Sequence, residues 1–150
     1  MLTIDHQPTP RERTQVVAWL RTCNHQHTPH FMNALESGDE KIFFLAAKNA
    51  KGEVTGGLRG SHLLDWLKIN VVAVHPAFRK QGIGRALMEE AESFGVRKGC
   101  RHAYLDTMSY QAPKFYLGLG YQEAGRLVNW DSNGHDKILY TKDLPTAGNG

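Results

Sequence analysis

A chain of 150 residues, 41% hydrophobic and 22% charged, is long enough to bury a core without disulfides or metal, and no apolar run approaches the roughly 20 residues of a membrane span. The formal net charge of +3 is modest and clusters in one loop rather than along a stripe, which favours an anionic small ligand over a nucleic-acid track. Cys23 and Cys100 stand far apart without a CxxC spacing, so two reduced thiols are expected, and the polar opening over residues 1–10 lacks a secretory pattern, which points to a cytoplasmic protein.

In chain order, Thr9-Pro10-Arg11-Glu12 reads as a capping box with proline at the first helical position. A helix follows, with Val16, Val17 and Leu20 on one face and Trp19 beside them, and the polar run over residues 22–30 is expected to interrupt it. Residues 31–35 suggest a second short helix. His25, His27 and His30 lie in that polar stretch with no identifiable partner. They are read as a solvated loop lining a substrate entrance, and no metal site is expected.

Residues 42–47 and 54–61, separated by the turn signal Asn49-Ala50-Lys51-Gly52, predict an antiparallel hairpin. Gly56, Gly57 and Gly60 mark a bulge or a close backbone approach. Residues 63–74 predict a further strand that carries Trp66, Leu67, Ile69, Val71, Val72 and Val74 and turns apolar on both faces near its end, as a central strand would.

That strand leads into Val71-Val72-Ala73-Val74-His75-Pro76-Ala77-Phe78-Arg79-Lys80-Gln81-Gly82-Ile83-Gly84-Arg85-Ala86-Leu87, which reads as strand, anion-binding loop and helix. Amides at the start of such a helix have no intrahelical partner and are free to face a phosphate. Gly82 and Gly84 remove Cβ atoms from its path, and Arg79, Lys80 and Arg85 add positive charge. Ile83, Ala86, Leu87, Ala91 and Phe94 form the helix face expected to pack on a sheet, and Arg97, Lys98 and Gly99 end the helix.

Residues 103–108 predict a strand, and Pro113 opens a short helix with Phe115, Tyr116 and Leu119 that closes at Gly120. Residues 121–130 and 137–142 predict two strands joined by a hairpin turn at Asp131-Ser132-Asn133-Gly134. Residues 145–150 are expected to fray. No repeat or linker divides the chain, so residues 1–150 are expected to form a single domain.

The glycine loop fits other phosphate motifs poorly. A Walker loop needs Gly-Lys followed by Ser or Thr, which Gly82-Ile83-Gly84-Arg85 lacks. A dinucleotide fold places three glycines near the start of its domain. Instead, Arg79-Lys80-Gln81-Gly82-Ile83-Gly84 resembles the Arg/Gln-x-x-Gly-x-Gly/Ala signature of the GNAT acyltransferase superfamily. Downstream, Ala112-Pro113-Lys114-Phe115-Tyr116-Leu117-Gly118-Leu119-Gly120-Tyr121 resembles its second landmark.

The resemblance covers residues 41–144. It implies an α+β fold whose mixed, mostly antiparallel sheet of six or seven strands is flanked by helices and splays between strands four and five. It implies acetyl-CoA as co-substrate, with no metal. Backbone groups of Val72, Ala73 and Val74 would pair with the pantetheine amides, and Arg79, Lys80, Gln81, Gly82, Ile83, Gly84 and Arg85 would hold the pyrophosphate. Ala112, Phe115 and Ser109 would border the cofactor, Ser109 standing where many relatives have asparagine.

The implied reaction is transfer of the acetyl group to a primary amine, more readily that of a small molecule than that of a protein. Tyr116 matches the residue that protonates the departing thiolate, and an ordinary phenol, with a pKa of about 10, keeps that proton at neutral pH. Residues 66–75 contain no carboxylate to act as base, which leaves Asp106 or a water chain. His75 is read as serving the turn before Pro76. Trp66, Trp130 and His135 are candidates for the acceptor wall. No nucleic-acid or membrane partner is expected, and a homodimer stays open. The alternative is a non-catalytic acyl-CoA-binding or sensing module.

Overall fold

Thr9 caps the first helix as its sequence predicts: the Glu12 N–H donates to Thr9 Oγ1 at 3.2 Å, and the Thr9 N–H donates to Glu12 Oε2 at 2.7 Å. The computed structural model describes residues 1–146 and divides into two compact units, Met1–Asp39 and Glu40–Gly150. The first unit holds α1 (Pro10–His27) and α2 (Pro29–Glu36).

The polar run does not interrupt α1, which continues through it to His27. The break comes at Thr28, the residue before Pro29, because a proline disfavours helical backbone in the residue that precedes it. His25 and His27 are therefore helix-end groups rather than members of an entrance loop. His25 Nε2 lies 3.0 Å from Glu36 Oε1, and His27 Nδ1 lies 2.9 Å from the Cys23 carbonyl. His30 sits in the first turn of α2. Among the described residues no group of three or more His, Cys, Asp or Glu is arranged to hold a metal ion, and no helix is long and apolar enough to cross a membrane.

The second unit carries β1 (Lys41–Lys48), β2 (Val54–Leu63), β3 (Trp66–Val74), α3 (Ile83–Arg97), β4 (His102–Met108), α4 (Pro113–Gly118), β5 (Gln122–Leu127) and β6 (Lys137–Asp143). A single 3-10 turn, Pro76–Phe78, joins β3 to the glycine loop. The six strands lie in the order β1-β2-β3-β4-β6-β5. Each neighbouring pair is antiparallel except β3 and β4, which run parallel.

The splay falls between the third and fourth strands of this chain, not the fourth and fifth, because the described chain enters the sheet only at Lys41. β3 and β4 register from Trp66 opposite His102 to Ile69 opposite Leu105, and no further. One residue of β3 explains the divergence. On β2, Arg59 faces Val71 and Gly60 faces Ile69, so Asn70 is an extra residue without a partner. Such a bulge bends its strand and increases the local twist, which carries the end of β3 away from β4.

α3 buries Leu87, Met88, Ala91 and Gly95 against the sheet. Ala86, expected on that face, points outward, because the buried stripe follows i, i+4 spacing from Ile83. Gly56 on β2 lets the helix approach, since an added Cβ would stand 3.0 Å from Ile83 Cγ2. At its far end the core is tied by a shielded ion pair. Lys142 Nζ on β6 donates to Glu92 Oε1 on α3 at 2.6 Å and to the Leu119 carbonyl at 2.7 Å, and the Tyr121 hydroxyl donates to Glu92 Oε2 at 3.3 Å.

Two further expectations change. The end of β3 is not buried on both faces: Val71 and Ala73, on the face opposite the buried Leu58, are exposed. β5 ends at Leu127, so Trp130 lies in a loop and Asn133-Gly134 does not form a two-residue hairpin. That loop is held by side chains instead. Asp131 Oδ1 accepts from the N–H groups of Asn133 at 2.9 Å and His135 at 3.1 Å, and Asn129 Oδ1 accepts from Gly134 at 2.7 Å. Of the expected frayed tail, residues 147–150 lie outside the described residues.

Candidate active site

Past Ile69 and Leu105, the edge of β3 that faces β4 has no ladder partner. Backbone groups of Val72, Ala73 and Val74 on that edge border a cavity of about 580 Å³. The opposite wall comes from the start of α4 and the loop before it, through Gln111, Ala112, Phe115 and Tyr116. Arg79, Lys80, Gly82, Ile83, Gly84 and Arg85 close one end.

The loop before α3 reaches the helix through two left-handed residues, Lys80 at φ +64° and Gly82 at φ +79°. No side chain caps the helix, and the Ala86 N–H makes the return bond to the Gly82 carbonyl. The amides of Ile83, Gly84 and Arg85 therefore face outward at the positive end of a 15-residue helix dipole. Arg79, Lys80 and Arg85 stand around them, and Arg85 makes only a long 3.4 Å contact to Glu89. Outward amides and nearby cations at a helix start are the chemistry that suits an anion.

The two glycines divide the work differently from the expectation that both clear a path for the anion. Gly82 supplies a left-handed φ with open space around it. Gly84 instead makes room for packing, because an added Cβ would meet the Phe115 ring at 3.3 Å and Val74 Cγ2 at 3.7 Å.

Tyr116 is half-buried and projects into the cavity lining. Its ring packs on Phe115 at 5.0 Å, Tyr140 at 6.1 Å and Tyr121 at 6.2 Å between centroids. No hydrogen bond to another described residue occupies its hydroxyl. Burial pushes the Tyr116 phenol above its ordinary pKa, so the proton is held more firmly than in water.

Two residues expected at the cofactor stand apart from the cavity lining. Ser109 continues the pairing of β4 with β6: its N–H donates to the Asp136 carbonyl at 2.9 Å, and its Oγ accepts from the Asp136 N–H at 3.0 Å. Gln81 lies in the exposed loop, outside the lining residues. Conversely, Phe78 and Gln111 line the cavity without having been singled out in the sequence. Gln111 is fixed there because its Oε1 accepts from the Met108 N–H at 3.0 Å and from Thr107 Oγ1 at 3.4 Å. Phe78 carries the signal of an apolar residue between Pro76 and Arg79, whereas nothing local marks Gln111. His75 serves its turn, Nδ1 accepting from the Ala77 N–H at 3.1 Å.

Asp106 is the first β4 residue past the last pair with β3, and it alternates with the buried Leu105 and Thr107, so it stands on the sheet face away from α3. Its Oδ1 lies 3.8 Å from Lys137 Nζ on β6. The same ammonium sits 4.6 Å from the centroid of Trp130. His135 lies beyond, with Nδ1 at 2.6 Å from Asp131 Oδ2 and its ring edge-on to Tyr110 at 4.9 Å. Trp66 is not part of this group. At the start of β3 it lies tilted against His102 at 4.8 Å and edge-on to Tyr104 at 5.5 Å, and Tyr104 lies roughly 13 Å along β4 from the Met108–Lys137 pairing at about 3.3 Å per residue.

An open strand edge that leads to a cationic helix start suits an extended ligand bearing amides and phosphates, which is the class of acyl-CoA-binding transferases. The sequence profile described as the acetyltransferase (GNAT) family matches residues 11–121. The chain is 28% identical over 131 residues to blasticidin-S acetyltransferase from Streptomyces morookaense, covering 83% of this chain and 96% of that protein. It is 35% identical over 89 residues to an acetyltransferase of Agrobacterium fabrum, a match that spans 59% of this chain and 65% of that relative, just under two thirds. Among solved structures it is similar to an acetyltransferase from Bacillus cereus, at a TM-score of 0.75 and 29% identity, covering 95% of this chain and 98% of the other. The chain belongs to the acetyltransferase (GNAT) family. It is an acetyl-CoA-dependent acetyltransferase.

Proposed function

We propose that this protein transfers an acetyl group from acetyl-CoA to a primary amine of a small molecule by direct attack, with Tyr116 as the general acid. The observation that carries the reading is the single cavity in which an unpaired strand edge, an uncapped helix start and the Tyr116 hydroxyl meet. The similarity to a blasticidin-S acetyltransferase and, at 31% identity over 108 residues, to a streptothricin acetyltransferase from Streptomyces lavendulae supports a small-molecule acceptor. The family match across residues 11–121 supports reading the two units as one domain.

When bound, acetyl-CoA supplies an activated thioester. Backbone groups of Val72, Ala73 and Val74 align its pantetheine arm as an added strand would be aligned. The α3 amides with Arg79, Lys80 and Arg85 hold the pyrophosphate, while Ala112 and Phe115 wall the arm from the α4 side. Tyr116 gives its hydroxyl proton to the departing sulfur, and the raised phenol pKa keeps that proton in place at neutral pH. Asp106 serves the acceptor side, either taking the proton that the attacking nitrogen loses or, where water takes that proton, holding a cation of the acceptor. Its contact with the Lys137 ammonium at 3.8 Å favours the second role.

Thermal melting with and without acetyl-CoA, followed by thiol release across a panel of amines, tests the proposal. Ligand at about 100 times its Kd adds roughly 2.7 kcal/mol to stability, a clear upward shift in Tm. Thiol release should then depend on the amine. No shift at millimolar acetyl-CoA, or thiol release indifferent to the amine, would overturn it.

A further inference from the structure

The cofactor cleft accounts for one side of the splay, and the opposite side holds a cluster that the cleft does not use. At the vertex, Asp106 faces away from α3. Beside it the Lys137 ammonium is shared between two partners, the Asp106 carboxylate at 3.8 Å and the Trp130 ring at 4.6 Å. A carboxylate and an indole face that converge on one ammonium are the chemistry of an organic-cation subsite. In this structure the cation it holds is the protein's own.

We infer that Asp106 and Trp130 form a cation subsite of the acceptor site, and that Lys137 is its resident occupant, which an incoming ammonium or guanidinium group must displace. The inference rests on the proposed transfer to an amine and extends it to the class of acceptor: a molecule with a second cationic group besides the nucleophilic amine. Three features support it. Lys137 is fixed in the β4–β6 ladder opposite Met108, so its backbone does not move when its side chain swings away. Trp130 sits on a loop whose backbone is held by the side chains of Asp131 and Asn129 independently of the Lys137 ammonium. The remaining charges nearby already have partners: Arg126 with Asp136 at 2.8 Å and with Glu123 at 2.7 Å, and the Asp131 carboxylate with the His135 ring at 2.6 Å. Lys137 is thus a specificity residue that sets how strongly a cationic acceptor must bind to enter.

The test uses the Lys137→Met chain, which keeps the stem and removes the ammonium, in a background where Trp19 and Trp66 are phenylalanine, so that Trp130 is the one indole among the three tryptophans of the sequence. Putrescine, with two ammonium groups, is titrated against Trp130 fluorescence without acetyl-CoA, with 1-butanol as the uncharged control. The putrescine Kd should fall by about two- to five-fold in Lys137→Met, the range for one exposed cation–π contact, while butanol shows no gain. Adding Asp106→Asn should abolish the gain. In turnover, the putrescine KM should fall in the same proportion and kcat should hold, a split that a merely structural lysine would not produce. An unchanged putrescine Kd, or an equal gain for butanol, would overturn the subsite. Tighter putrescine binding without acetyl transfer to any amine would leave the subsite standing and remove the proposed reaction instead.

Discussion

Ile69 and Leu105 are the last residues of β3 and β4 to face each other in register, and the cavity of the candidate site opens directly beyond them. On one side of that vertex lie the strand edge, the α3 amides and Tyr116. On the other lie Asp106, Lys137 and Trp130. A sheet that stayed paired for three more residues would have no site.

Tyr116→Phe tests the general acid. Removing the hydroxyl leaves the ring packing on Phe115, Tyr121 and Tyr140 intact. A fall in kcat of about 100-fold or more is expected, the lower end for a general acid, with acetyl-CoA affinity unchanged. Unaltered turnover would take Tyr116 out of the mechanism.

The same residue sets an alkaline limit. The proposed general-acid role requires its protonated form, and burial raises its pKa. The alkaline fall in kcat should therefore lie above the ordinary phenol value of about 10, and it should vanish in Tyr116→Phe. The linkage to stability has the matching sign: the folded state favours the neutral phenol, so its contribution is complete below the unfolded pKa and is lost as pH rises through the raised one. A limb in the neutral range that persists in Tyr116→Phe would belong to another group.

Gly82→Ala and Gly84→Ala should fail in different ways. Alanine at position 82 must hold φ +79°, which costs about 1 to 2 kcal/mol of left-handed strain and should appear in urea denaturation. Alanine at 84 keeps an ordinary helical backbone but presses on Phe115 at 3.3 Å. It should weaken acetyl-CoA binding more than it weakens the fold. Equal profiles for the two variants would contradict this division.

Lys142→Met should destabilise the fold without touching the cleft. It leaves Glu92, 12% exposed, facing only the Tyr121 hydroxyl. Breaking a fully buried pair costs about 3 to 5 kcal/mol, and with Lys142 itself 25% exposed a loss of roughly 2 to 3 kcal/mol is expected from chemical denaturation. Replacing both partners with apolar residues should recover part of that loss.

Arg79→Ala combined with Lys80→Ala removes two cations beside the uncapped α3 start. Acetyl-CoA affinity should fall and become less sensitive to added salt, because less of it would come from screened charge. Calorimetric titration at two ionic strengths reads both effects. An unchanged salt dependence would place the pyrophosphate elsewhere.

Much of this protein is determined by local sequence. The capping box at Thr9, the apolar strand residues, the glycine loop and the stripe from Ile83 to Gly95 each specify their element through nearest-neighbour physics, and the element order followed from them. The cleft residues on β3, the loop and α4 were legible because they sit in contiguous motifs. Other features depended on pairings between distant segments. The extra residue Asn70 is visible only against β2, the side-chain-held loop after β5 only once Asp131 and Asn129 have found their amides, and the separation of Trp66 from Trp130 only through the registers of β3, β4 and β6. The meeting of Lys137 with Asp106 and Trp130 is of the same kind. Strand register brings residues from two strands and a loop together, and no local pattern encodes it.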